Sequence, residues 1–182
     1  LKMQNNDGSW SLDDEASPSY DITAMALIAL APYQTDEKVK NTVDRAVAFL
    51  SKEQGESGGY YDSFNGGISS ETTSQVIIGL TSVGIDPTSS QFTKKQGNLL
   101  EHLLSFQTKD GAFEHVQGDG SNEMATEQAL QALVAYELFV KGEGPLYLFN
   151  RDIVHEEQDV KAGQEIAIND GKSKLKWSDY LA

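Results

Sequence analysis

Cysteine does not occur anywhere in this chain. Its absence excludes disulfide bridges, thiolate metal sites and a cysteine nucleophile together. Basic residues are scarce: 14 Lys and Arg stand against 28 Asp and Glu, giving a formal charge of −14 over 182 residues. Such a surface repels phosphate backbones, so nucleic acid is excluded as a partner, and it disfavours anionic membrane surfaces. No apolar run is long enough to cross a membrane, so no membrane insertion is expected. Histidine is limited to His102, His115 and His155, which lack the close spacing of metal ligands. No metal and no cofactor is expected. The chain begins at Leu1 and enters its first motif almost at once, so it reads as a segment of a longer protein.

What the chain does have is one motif in three copies. The first copy is Gln4-Asn5-Asn6-Asp7-Gly8-Ser9-Trp10, the second Gln54-Gly55-Glu56-Ser57-Gly58-Gly59-Tyr60, and the third Gln107-Thr108-Lys109-Asp110-Gly111-Ala112-Phe113. The glutamines step by about 50 and then about 53 residues, and the same steps align Thr23, Thr73 and Thr126 and also Leu30, Leu80 and Leu133. A period of this length with helical patterning predicts stacked helical hairpins.

Two kinds of helix alternate within the repeat. The segments 19–33, 70–83 and 122–141 are apolar at nearly every position, which predicts helices enclosed by protein on all sides. Pro32 and Gly84 suit the ends of the first two. Between them, Val39, Val43, Ala46, Val47 and Leu50 mark the buried face of an amphipathic helix, with Lys38, Lys40, Asp44 and Arg45 largely opposite. Phe92, Leu99, Leu100, Leu103, Leu104 and Phe106 predict a second such helix. Asp36 and Ser89 or Ser90 are the expected N-caps. The chain is therefore read as all-α: an inner layer of buried helices and an outer layer of amphipathic ones, five main helices in all. The hairpins form either a ring, an α/α toroid, or an open stack. Three hairpins are about half a ring, so a homodimer, missing flanking repeats or a covering tail is expected. Residues 1–150 form this repeat domain. Residues 151–182 are a tail or the start of a following β domain, with a strand expected around Gly163–Gly171.

The resemblance of these motifs is specific. The Gln-x-x-Asp-Gly-Ser-Trp turn before a buried helix resembles the QW-type repeats of terpenoid cyclases and protein prenyltransferases. Tyr20-Asp21-Ile22-Thr23-Ala24-Met25-Ala26-Leu27 is similar to the α/α-toroid domains of bacterial cell-surface proteins, relatives of the transcobalamin and intrinsic-factor family. Gly84-Ile85-Asp86-Pro87, the run from Asn98 to Gln107 and the run from Met124 to Leu133 carry similar phrases. The resemblance covers about residues 4–150 and implies the toroid fold. The reactive groups of the superfamily are missing from this segment. Class II terpene cyclases protonate an alkene with Asp-x-Asp-Asp, and no such spacing occurs; Asp13-Asp14-Glu15 is the nearest acidic cluster. Prenyltransferase zinc sites and complement-type thioesters both need the absent cysteine.

Three copies of a turn argue for a joint rather than a catalytic centre. Gln4, Asp7, Gly8 and Trp10, then Gln54, Gly59 and Tyr60, then Gln107, Asp110, Gly111 and Phe113 are read as structural. Gly8, Gly58, Gly59 and Gly111 are expected to supply positive φ, Asp7 and Asp110 Asx turns, and the aromatics covers for the next helix. The better candidates for binding lie just before the inner helices: Tyr20, Asp21, Tyr60, Tyr61, Glu71, His115 and Glu123, where helix N-termini and aromatic rings converge. No residue is assigned a catalytic role. The expected function is a non-catalytic binding or scaffold module of a secreted or cell-surface bacterial protein, with a small molecule or a protein as partner. One alternative is a terpene cyclase or prenyltransferase-type enzyme with its catalytic groups outside this segment. The other is cobalamin-like small-molecule binding.

Overall fold

A serine or asparagine side chain starts each of the long apolar helices. The Ser19 hydroxyl accepts from the Ile22 N–H, Ser69 from Thr72, and Asn122 from Ala125, satisfying donors that a helix start leaves without partners. The computed structural model describes residues 2–13, 17–62 and 66–147, all within one compact unit, Leu1–Phe149. The expected strand around Gly163–Gly171 and the tail 151–182 lie outside the described residues. Five α-helices are present among them: α1 (Tyr20–Leu30), α2 (Glu37–Glu53), α3 (Ser70–Ser82), α4 (Leu99–Leu104) and α5 (Glu123–Lys141).

The apolar helices pack side by side, α1 on α3 and α3 on α5, while α2 lies against α1 and α4 against α3. The middle helix is enclosed: eleven of its thirteen residues are buried, Ile77 and Leu80 completely. Gly79 permits the closest approach, because a Cβ there would sit 2.9 Å from the Ala24 carbonyl oxygen. The end helix α5 buries only the small stripe Ala125, Ala129, Ala132 and Ala135, and Leu130 remains 60% exposed. The amphipathic reading of α2 holds, with Val39, Val43, Ala46, Val47, Phe49 and Leu50 buried, and Asp36 caps it through Lys38 and Val39.

The second outer helix is shorter than its apolar spacing predicts. Ser89 precedes only a single 3₁₀ turn, Ser90–Phe92, and a small hairpin intervenes before α4. The true N-cap is Asn98, whose side chain accepts from the Glu101 N–H while the Glu101 carboxylate accepts from Asn98. That reciprocal pair fixes the helix start, and Gly97, at φ +141°, lets the chain turn into it.

The all-α reading also needs an addition. Each repeat joins its turn to its inner helix through a two-stranded antiparallel ladder: β1 (Trp10–Ser11) with β2 (Pro18–Ser19), β3 (Tyr61–Asp62) with β4 (Gly67–Ile68), and β7 (Phe113–Glu114) with β8 (Ser121–Asn122). The fourth ladder is the hairpin before α4, β5 (Thr93–Lys94) with β6 (Gly97–Asn98). The register places Trp10 opposite Ser19 and Phe113 opposite Asn122, so the motif aromatic pairs with the helix N-cap. The aligned threonines explain why. Thr23 Oγ1 accepts from the Trp10 N–H at 2.9 Å and donates to the Ser19 carbonyl at 2.6 Å; Thr126 does the same with Phe113 and Asn122. A helix side chain thus supplies the acceptor that the aromatic's backbone requires once it is buried.

Candidate functional site

The three turns have one geometry. In each, a backbone hydrogen bond closes a loop at the glycine, Gly8 to Asn5, Gly58 to Gly55 and Gly111 to Thr108, with all three glycines at positive φ. Gly59 departs from expectation, for its φ is not positive; its missing Cβ makes room instead, since one would lie 2.1 Å from the His102 ring. The glutamine amide bridges its own turn to the outer layer. Gln4 Nε2 donates to the Gly8 and Thr42 carbonyls, both at 2.9 Å, and Gln54 Nε2 to Gly58 at 2.8 Å and Phe92 at 2.9 Å. Gln107 reaches Gly111 at 3.5 Å. Partial burial pulls the Asp7 carboxyl up, but the Ser9 hydroxyl and N–H outweigh it and hold it below the ordinary value. Hydroxyls of Thr108 and Ser121 hold Asp110 low. Trp10, Tyr60 and Phe113 are buried in the core.

Tyr60 therefore is a core residue with no surface to offer a ligand. Its ring is fully enclosed, its hydroxyl donates to the Leu50 carbonyl at 3.0 Å, and burial pushes its phenol well above the usual range. Tyr20 is half-buried and packs between Tyr60, with ring centroids 4.8 Å apart, and Phe49 at 6.0 Å. Both are pieces of an aromatic core between the layers. Tyr61, by contrast, is 69% exposed and borders a different cleft.

Asp21, Glu71 and His115 do come together. With Ser69, Gln75, Met124 and Gln128 they line an open cleft of about 300 Å³ at the N-terminal ends of the three inner helices. His115 Nδ1 lies 2.9 Å from both Glu71 carboxylate oxygens. The His115 backbone is held as well: its carbonyl accepts from the Ser70 N–H at 3.0 Å, and the Ser70 hydroxyl donates to the Glu114 carbonyl at 2.6 Å. The first turn of α3 thus grips the hairpin of the following repeat by main chain and side chain. Asp21 faces the same space and accepts from the Thr72 hydroxyl at 3.5 Å.

Glu123 is exposed and does not line the cleft; Met124 does. The register of the repeat gives the reason. Asp21, Glu71 and Met124 each lie two residues before an aligned threonine, so they occupy the same position on three successive helices. Gln75 and Gln128 each lie two residues after one. Asp21, Glu71 and Met124 are also each the second residue of their helix, so the third helix offers Met124 to the cleft where Glu123, its first residue, does not reach. Among the described residues no group of three or more His, Asp and Glu side chains is placed to hold a metal ion, and no helix is long and apolar enough to cross a membrane.

A family model described as the squalene-hopene cyclase C-terminal domain matches residues 11–133, which begins just after the first turn and runs through the second repeat into the third. The chain belongs to that family. No curated protein matches it. The inner helices, the second and third turns and the cleft fall largely within the span shared with the cyclase domain family, and the sequence of that span contains no Asp-x-Asp-Asp.

Proposed function

We propose that this chain is a non-catalytic binding module on a terpenoid-cyclase-like scaffold, a partial α/α toroid whose cleft at the inner-helix starts receives a basic group from a small molecule or partner protein. One observation carries the reading: equivalent positions of three helices converge on a cleft bearing two carboxylates, one of them, Glu71, already paired with His115. Carboxylate oxygens held at the wall of an open cleft offer acceptors to a donor-rich ligand group. The acidic composition supports a cationic ligand. Presentation on a secreted or cell-surface bacterial protein is part of the same proposal.

Family membership favours a second reading, a terpene cyclase-type enzyme whose proton donor lies on another part of the protein. Two measurements on the purified chain separate them. Titration with spermidine, followed by amide chemical shifts, is expected to move Asp21, Glu71 and His115, and Glu71→Gln with Asp21→Asn to remove the response. Incubation with squalene is expected to return it unchanged; a cyclised product would replace the binding reading with the enzymatic one. Cyanocobalamin in the same titration decides the cobalamin alternative.

A further inference from the structure

His102 occupies a place where an apolar ring is the natural choice. Counted back from the motif glutamine, it corresponds to Phe49 in the preceding repeat, which packs on Tyr20 in the core. His102 is only 6% exposed, stands edge-on to Phe106 at 5.2 Å, and lies over Gly59, whose counterparts Ser9 and Ala112 carry the Cβ that would strike its ring. Burying an imidazole here costs free energy that a phenylalanine would not.

The hydrogen bonds fix what the ring presents. Thr73 Oγ1 lies 3.1 Å from both the Ser69 carbonyl and His102 Nδ1. A hydroxyl has one proton to donate. In the other two repeats the aligned threonine gives that proton to the carbonyl four residues back and accepts from an N–H. The same arrangement at Thr73 makes Nδ1 the N–H donor and leaves Nε2 a bare acceptor. Burial holds the imidazole neutral at ordinary pH, with its pKa down at about 4. Nε2 has no hydrogen-bond partner among the described residues.

His102 lines a cleft of about 470 Å³ that shares no residue with the Asp21–Glu71–His115 cleft. One wall is apolar, with Ile68, Phe106 and Val116, and the exposed Tyr61 ring stands at its edge. Gln96 and Gln117 add neutral amides; the Gln117 NH₂ is spent on Ser105, leaving its oxygen to accept. The one carboxylate, Glu101, is engaged in capping α4. A flat aromatic face, an apolar wall and separated neutral acceptors describe the complement of a ring with one C–H face and several hydroxyl donors.

We propose that this cleft is a saccharide site in which a neutral pyranose stacks on Tyr61 and donates a hydroxyl to His102 Nε2. A simple alcohol shares the hydroxyl but not the several donors, so the test carries both. Maltotriose, cellotriose and N,N′,N″-triacetylchitotriose are titrated into the chain, with cyclohexanol as the single-hydroxyl control, while imidazole ¹⁵N and amide signals are followed. The expected spectrum of the free protein shows the Nδ1–H tautomer. At least one trisaccharide should shift Nε2 and the Tyr61 and Gln117 amides, and both Tyr61→Ala and His102→Phe should weaken it at least tenfold. Tyr61 is a surface residue, so its variant tests the site even if the His102 variant fails to fold. An Nε2–H tautomer, silence of all three trisaccharides at millimolar concentration, or equal binding of cyclohexanol each overturns the assignment. Spermidine binding at the other cleft is read from different signals, so failure of one proposal leaves the other standing or falling on its own result.

Discussion

In the second repeat the motif glutamine is buried between two carbonyls, the inner helix is enclosed by helices on both sides, and the turn glycine carries a histidine ring. In the third repeat the corresponding glutamine is exposed, the inner helix buries one stripe of alanines, and Ala112 stands where Gly59 stood. The local chemistry of the two copies is nearly the same. What differs is the neighbours, and in a repeat protein stability is roughly a sum over units and their interfaces. The same side chain should therefore matter greatly in one copy and little in the other.

The largest expected contrast is in the inner helices. Ile77→Ala should cost about 4 kcal/mol, the range of a large cavity in a packed core, while Leu130→Ala on the open side of α5 should cost under about 1 kcal/mol. Denaturant midpoints of the two variants measure this, and equal losses would break the comparison. Next, Gly59→Ala should destabilise by about 3 kcal/mol through collision with the His102 ring, and His102→Ala should recover part of the loss in the double variant. The opposite change, Ala112→Gly, should cost no more than about 1 kcal/mol.

The histidine also gives the second repeat an acid sensitivity. Its folded pKa of about 4 lies below the ordinary value of 6.5, so the unfolded chain takes up the proton first as pH falls. The associated stability is complete above pH 6.5 and is lost as pH drops toward 4, about 3 kcal/mol across that window at 1.36 kcal/mol per unit. Urea unfolding from pH 7 to pH 4 should show that decline in the native protein and a flatter profile in His102→Phe. The smallest contrast is at the glutamines. Gln54→Ala strands two buried carbonyls and should cost about 2 kcal/mol, whereas Gln107→Ala should change stability by less than about 0.5 kcal/mol.

Much of the scaffold was legible from spacing alone. The alternation of all-apolar and half-apolar segments located the inner helices and α2 within a few residues, because a helix's burial is written into its period. The short α4 was not, though Asn98-Leu99-Leu100-Glu101 is a capping-box pattern that the apolar spacing of Phe92 to Phe106 overshadowed. The two-residue ladders were hidden because strands so short have no period to read. The cleft was half legible. Asp21, Glu71 and His115 could be placed near inner-helix starts, but Tyr60 fitted two readings, a cover for the next helix and a binding candidate, since an aromatic beside a turn looks alike whether it faces in or out. His102 gave no signal at all until Thr73 and Gly59, which are 29 and 43 residues away, were seen against its ring.

The threonine that ties Trp10 in the first repeat and Phe113 in the third to the following helix has a consequence for how the chain folds. Trp10 and Thr23, like Phe113 and Thr126, are 13 residues apart. Closing a loop of about that length takes on the order of 10–100 ns, far faster than bringing together α1 and α3, whose contact at Ala24 and Gly79 spans a whole repeat. Turn, ladder and first helical turn thus form a small local unit that can assemble before any layer exists. The inner helices then dock as pre-started pieces, and the rate of folding is set by that docking. The Trp10 and Phe113 amides become the natural early reporters of the process, protected in pulse-labelled hydrogen exchange ahead of the amides at the centre of α3.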